Sequence, residues 1–201
     1  MTNRAQSVQS RSPVALILAG GGSKRFGSNK LVVETGGKTI LQHAVEAASG
    51  VVPELYLSVG AAGHSILAAA SVDLPVVYDE IPDIGPLGGL HAAFSKLDAE
   101  WILLVAGDMP RVTAPTLQTI VAARATYLDA VIAKDPDGRV HPLLGCYRSS
   151  VQAHVVDQIN RKNYSMKGLI SRLKRVRYIT FPLDVVQNVN RPDDLRATFL
   201  K

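Results

Sequence analysis

Along the chain, short apolar runs alternate with stretches in which apolar positions recur every three or four residues. Residues 14–19, 55–59, 76–78 and 102–106 are β-favouring runs, each followed by a helical pattern at 39–48, 64–70, 87–97 and 114–125. Continuous apolar runs suit strands buried on both faces, and the longer period suits helices lying on a sheet. The second half predicts strands at 130–133 and 141–148, helices near 149–158 and 166–173, a strand near 176–181 and a last helix near 192–199. Such β-α repetition predicts an α/β fold, a three-layer α/β/α sandwich around a mainly parallel, Rossmann-like sheet. Ligands of such sheets gather outside the carboxyl ends of the strands. The loops leaving those ends, 20–30, 58–63, 79–89 and 107–111, hold most of the distinctive glycine and polar residues.

The first of these loops is the most informative. Leu18-Ala19-Gly20-Gly21-Gly22-Ser23-Lys24-Arg25-Phe26-Gly27-Ser28-Asn29-Lys30 follows directly on an apolar strand. Glycines let backbone N–H groups approach a ligand closely, and Lys24, Arg25 and Lys30 add positive charge, which together suit a polyphosphate. A Walker loop is excluded because Gly22 to Gly27 leads into Ser28-Asn29. The dinucleotide fingerprint is excluded because Arg25 stands where its last glycine belongs.

A later strand delivers an acid to the same edge. Trp101 to Ala106 runs into Gly107-Asp108-Met109-Pro110. Gly-Asp by itself is ordinary turn chemistry, but here it lies opposite a phosphate loop. Mg²⁺ takes one or two carboxylates plus substrate phosphates and waters, so Asp108 alone is a sufficient protein ligand.

Composition narrows the setting. The chain has 201 residues, of which 47% are hydrophobic and 19% charged, which predicts one compact domain over 13–201 behind a disordered polar tail, 1–12. The net charge of +5 agrees with an anionic ligand. The single cysteine, Cys146, excludes an internal disulfide framework and a structural zinc cluster, and reads as a buried small hydrophobe. A reducing cytoplasm is the expected location, with no signal peptide and no membrane span. Between Arg161 and Tyr178 the chain carries Arg161, Lys162, Lys167, Arg172, Lys174, Arg175 and Arg177 without one acid. A solvated basic face is the plain reading of this run, an anion site the sharper one. Nucleic acid is not expected, since the run has no interleaved aromatics beyond Tyr164 and Tyr178 and no reader motif accompanies it.

Taken together, Leu18-Ala19-Gly20-Gly21, Arg25-Phe26-Gly27 with Lys30, Gly85-Pro86-Leu87-Gly88-Gly89, Gly107-Asp108-Met109-Pro110, His141-Pro142 and Asn188-Val189-Asn190-Arg191-Pro192-Asp193-Asp194-Leu195 occur in a familiar order. Over nearly its whole length after residue 12 the chain resembles the molybdenum cofactor guanylyltransferases. The resemblance implies a sandwich of the nucleotide-diphospho-sugar transferase type. It also implies Mg²⁺-dependent transfer of GMP from GTP to molybdenum-molybdopterin, with release of pyrophosphate. Carried over by position, Leu18, Ala19, Gly20 and Gly21 line the nucleotide, Lys30 contacts its phosphates, and Asp108 binds nucleotide and metal. Lys30 and Arg25 would stabilise charge building at the α-phosphorus. Asp79 ends the strand 76–78 and offers a carboxylate to the N1–H and N2–H donors of guanine. Ser58 stands where relatives carry an asparagine that contacts the nucleotide, and Asn29 where they carry an aspartate.

Gly85, Pro86, Leu87 and Gly88 read as a tight turn into a helix whose first amides are available to a phosphate or a base; the plain alternative is that they only shape the loop. On the acceptor side the resemblance implies His141, Asn188 and Asn190, with an asparagine amide also able to reach the metal's shell, and Lys167 of the basic run is the candidate for the pterin phosphate; the plain alternative for Asn190 is a helix cap. His43 reads as a helix-surface residue. Handover of product implies transient contacts with molybdoenzymes. Transfer from CTP, or onto another phosphorylated metabolite, uses the same loop and Asp108 and remains open. A catalytically silent nucleotide-binding assembly protein is the alternative of another class, opposed by the presence of Lys30 together with Asp108.

Overall fold

The computed structural model describes residues 12–20, 30–60 and 69–189. The main strands are β1 (Val14–Leu18), β4 (Leu55–Val59), β5 (Val76–Tyr78), β6 (Trp101–Ala106), β7 (Ala130–Lys134), β8 (Val140–Arg148) and β9 (Val176–Thr180), and β2 (Glu34–Thr35) with β3 (Lys38–Thr39) forms a separate antiparallel ribbon. Their order in the seven-stranded sheet is β5-β4-β1-β6-β8-β7-β9. Every neighbouring pair is parallel except the two that involve β8, which runs against β6 and β7.

The described α-helices are α1 (Ile40–Ser49), α2 (Pro86–Lys96), α3 (Ala114–Ala122), α4 (Gln152–Asn160), α5 (Met166–Arg172) and α6 (Leu183–Val186), and Lys30–Val32 forms a 3-10 turn. Strand side chains alternate between faces, so β1 sends Ala15 and Ile17 to one layer and Leu16 and Leu18 to the other. The first layer holds Leu41 and Ala44 of α1 with Leu117 and Ile120 of α3. The second holds Leu87 and Leu90 of α2, Val155 of α4 and Leu169 of α5. This is the expected three-layer sandwich. Every residue of β1 and β6 is buried, which explains their unbroken apolar runs.

The predicted strands and most helices agree with the structure to within a few residues. Helix 149–158 instead opens with a 3-10 turn, Ser149–Val151, before α4. The ribbon and α6 were not foreseen: each piece is too short to show a period. Most of the helix expected at 64–70, the helix at 192–199 and nearly all of the tail 1–12 lie outside the described residues. The start of α1 shows how local chemistry sets an element. Thr39 Oγ1 accepts from the Gln42 N–H and Gln42 Oε1 accepts from the Thr39 N–H (3.2 and 2.7 Å), a reciprocal cap.

Candidate active site

Register places the ends of four strands at one edge. Leu18 pairs with Ser58 on one side and Ala106 on the other, and Ser58 pairs with Val77, so β1, β4, β5 and β6 end side by side. Two further bonds carry this alignment past the strands: Ala19 N–H donates to Ser58 O (2.9 Å) and Gly107 N–H to Leu18 O (3.0 Å). A Cβ on Gly107 would lie 2.8 Å from Leu18 O and 2.9 Å from Leu41 Cδ1. Only glycine therefore lets β6 hand Asp108 to the edge at this height.

Asp108 is held from three directions. Lys30 Nζ reaches its Oδ2 at 2.5 Å, and Asn188 Nδ2 donates to its Oδ1 at 2.7 Å. Lys30 also donates to Val189 O (3.0 Å), and Val189 N–H donates to Asp108 O (2.9 Å). The Lys30 and Asp108 side chains are 19% and 16% exposed, shielded but reachable. Residues 78 and 159 positions apart thus meet on one ammonium. The expected Lys30 and Asp108 are together. Asn188, expected at the acceptor, turns its amide onto the Asp108 carboxylate. Gly21, Arg25, Asn29 and Asn190 lie outside the described residues.

A second cluster sits beside it. Ser58 is buried, and its hydroxyl points to Asp79 Oδ1 across a long 3.4 Å. Burial pushes the Asp79 carboxyl above its ordinary value, and the Ser58 hydroxyl and Lys96 offset only part of this. Gly85 adopts φ 65°, ψ −150°, a region open essentially to glycine, and Pro86 then opens α2. A Cβ on Gly89 would fall 2.2 Å from Ser58 Oγ, and one on Gly88 would lie 2.9 Å from Ile84 Cγ1. The start of α2 therefore lies flush on Ser58, with Asp79 at its rim. Leu87 is fully buried against the second layer and supports this helix from beneath; it does not face a ligand through its side chain.

His141 opens β8 at the same edge, with Nε2 3.2 Å from Asp135 Oδ2. Asp135 was missed: a single acid in Asp-Pro-Asp-Gly reads as a turn. Lys167 is exposed at the start of α5, where Ser165 caps through the Gly168 N–H. The basic run disperses. Arg161 and Arg172 both pair with Asp157, Arg175 with Asp129, and Arg177 with Ala123 O and the Tyr127 hydroxyl. Arg175 and Arg177 also sit at the opposite edge of the sheet, since Val176 pairs with Ala130 at the start of β7. His43 Nε2 meets Thr35 O (2.9 Å) and fastens α1 to the ribbon. Cys146 is buried, its thiol pushed up to about 12 by burial, as suits a small hydrophobe.

Comparison with known proteins decides the family. The family model described as MobA-like NTP transferase domain matches residues 15–176. The chain belongs to this family. Among curated relatives, a probable molybdenum cofactor guanylyltransferase of Pyrococcus furiosus is 30% identical, with 94% of this chain and 98% of that protein covered. Another of the same name, from Bacillus cytotoxicus, is 28% identical over 85% of each chain. Among solved structures, molybdopterin-guanine dinucleotide biosynthesis protein A of Archaeoglobus fulgidus superposes with a TM-score of 0.76 at 23% identity, covering 92% of this chain and 95% of that one. A Mycobacterium tuberculosis protein gives 0.78 at 23% identity, covering 94% and 100%. The fold of this MobA-like chain is thus that of the nucleotide-diphospho-sugar transferases. Among its described residues, no helix is long and apolar enough to cross a membrane.

Proposed function

We propose that the protein transfers GMP from GTP to molybdenum-molybdopterin. The observation that carries this reading is the Lys30–Asp108–Asn188 constellation at the carboxyl edge of a parallel sheet, in a chain of the MobA-like NTP transferase family. A terminal phosphate oxygen of the acceptor attacks the α-phosphorus of GTP. A new P–O–P linkage forms as the bond to the β-phosphate breaks, and pyrophosphate leaves. The attacking oxygen is already ionised, so no histidine is needed as base.

The donor set fits Mg²⁺: Asp108 is a hard oxygen ligand, and phosphates and waters supply the rest. When bound, the ion neutralises charge developing on the phosphates. Asn188 fixes the rotation of the Asp108 carboxylate through Oδ1. The Lys30 ammonium moves from Asp108 to the triphosphate, and Arg25 adds charge at the α-phosphorus. Leu18, Ala19, Gly20 and Gly21 carry backbone to the nucleotide. Asp79, with Ser58 and the Gly85–Gly88 turn, takes the guanine edge. His141, Lys167 and Asn190 serve the acceptor, and Asn188 serves it only through Asp108.

We place the reaction in the cytoplasm, followed by transient contact with molybdoenzymes and without nucleic-acid or membrane partners. The test is pyrophosphate release with Mg²⁺ and each of the four nucleoside triphosphates, with and without molybdenum-molybdopterin. Release with GTP and acceptor together supports the reading. Release with CTP keeps the mechanism and overturns the base choice.

A further inference from the structure

The hairpin between β7 and β8 is built around one buried acid. Asp135 is 2% exposed, and its backbone closes the turn: its N–H donates to Arg139 O and its carbonyl accepts from Gly138 N–H, both at 3.0 Å. Its Oδ1 accepts from the Arg139 N–H (2.8 Å), and its Oδ2 lies 3.2 Å from His141 Nε2. Burial alone would raise this carboxyl, yet the backbone donor of Arg139 and the imidazole together hold it below its ordinary value. Asp135 is therefore an ionised acceptor with no proton to give. The proton in the 3.2 Å contact belongs to His141 Nε2. In the neutral ring this leaves Nδ1 as a lone-pair acceptor.

The strand beneath the histidine is distorted to match. β7 pairs Ile132 with Gly145 and then Ala133 with His141, so Pro142, Leu143 and Leu144 bulge away from β7, while Leu144 still pairs with Val105 of β6. Proline carries no N–H and gives up no ladder donor there. The bulge is pinned from below by the Tyr147 hydroxyl, which donates to Pro142 O at 2.6 Å from a fully buried ring. Bulges of this kind re-aim a side chain at the end of a sheet. β6 runs on from Val105 to Asp108 at the edge where β8 begins, so the re-aimed His141 stands on the strand beside Asp108.

We infer that Asp135 and Tyr147 are positioning residues that present His141 Nδ1 as a hydrogen-bond acceptor to an N–H of the acceptor's pterin ring. The inference rests on the guanylyltransferase reading for the identity of the acceptor, and not for the state of the ring. Phosphate offers no N–H and is not the partner of this nitrogen.

Two measurements test it. Nitrogen-15 NMR of His141 in the ligand-free protein reads the tautomer directly. The neutral ring carries its proton on Nε2 in the wild type and is released to a mixture in Asp135→Asn. The Nδ1 resonance moves on adding molybdopterin and not on adding inorganic phosphate. A wild-type ring shared between tautomers, or a response to phosphate alone, overturns the inference directly.

In the transfer assay, Asp135→Asn and Tyr147→Phe each raise KM for molybdopterin about tenfold, the worth of one hydrogen bond, while KM for GTP stays put. In a His141→Ala background the same two substitutions add nothing further to that KM. Additive losses in that background, or equal rises in both KM values, mark a general structural role and overturn the inference. A wild type that holds the Nε2–H tautomer but transfers no GMP instead overturns the guanylyltransferase reading, and with it the named acceptor.

Discussion

Lys30→Met removes the ammonium that reaches the Asp108 carboxylate at 2.5 Å and, among the described residues, leaves the acid with the Asn188 amide. Both side chains are less than a fifth exposed, so the loss is larger than for a surface pair. Taking away one partner of a charged hydrogen bond in such a place costs about 1.5–3 kcal/mol. For a chain of this length that lowers Tm by roughly 3–12 °C. Part of the loss is the stranded charge. Lys30→Met with Asp108→Asn together therefore unfolds above the single Lys30→Met variant. Turnover falls much further, by about 10²–10³-fold, because Lys30 is a preorganised cation for charge that develops on the phosphates. Thermal unfolding and GMP-transfer kinetics on the same preparations read both. A single variant that unfolds like the wild type, or turns over within about threefold of it, refutes the assigned role of the ion pair.

Other expectations follow from the same edge. Asp108→Asn lowers kcat more than it weakens GTP binding, since metal charge matters most in the transition state, and calorimetry beside kinetics separates the two. Asp79→Ala narrows the ratio of kcat/KM for GTP over CTP; an unchanged ratio removes Asp79 from the base site. The raised Asp79 carboxyl also has a sign in stability. Folding favours its protonated form, so the native state loses stability as pH rises from the unfolded value of 3.8 through the higher folded one. Asp79→Asn without nucleotide is therefore more stable than wild type at pH 7, and the gap closes below pH about 4, as Tm against pH will show. Gly89→Ala forces a methyl to within 2.2 Å of Ser58 Oγ and destabilises by about 1–3 kcal/mol in urea unfolding.

Much of this was legible in the chain. The fold followed from β1 and β6, whose unbroken apolar runs are what burial on both faces demands. Lys30 and Asp108 stand out in the sequence because each follows an apolar run that predicts a strand ending at the carboxyl edge. Their direct contact was not, since no local pattern relates residues 78 positions apart. Asn188 reads from sequence as an amide beside the acceptor or the metal's shell, but not where it turns; the strand-like pairing of Val189 with Asp108 O aims it at the Asp108 carboxylate. Charge counted along the basic run between Arg161 and Tyr178 shows nothing of partners that arrive from elsewhere: Asp157 pairs with Arg161 and Arg172, and Asp129 with Arg175. β8 gave no sign of its reversed direction, because apolar alternation is the same read either way. Asp135 stayed hidden because turn chemistry and a buried acid facing a histidine look alike in Asp-Pro-Asp-Gly.

The central claim, transfer of the α-phosphoryl nucleotide with loss of pyrophosphate, is tested most directly by following label from GTP. With the α-phosphate labelled, the account predicts that label moves to the pterin acceptor in step with pyrophosphate release, only when GTP, Mg²⁺ and molybdenum-molybdopterin are all present. Label from the γ-phosphate should leave entirely in pyrophosphate. Label on the acceptor from the γ-phosphate, or release of orthophosphate in place of pyrophosphate, would contradict it.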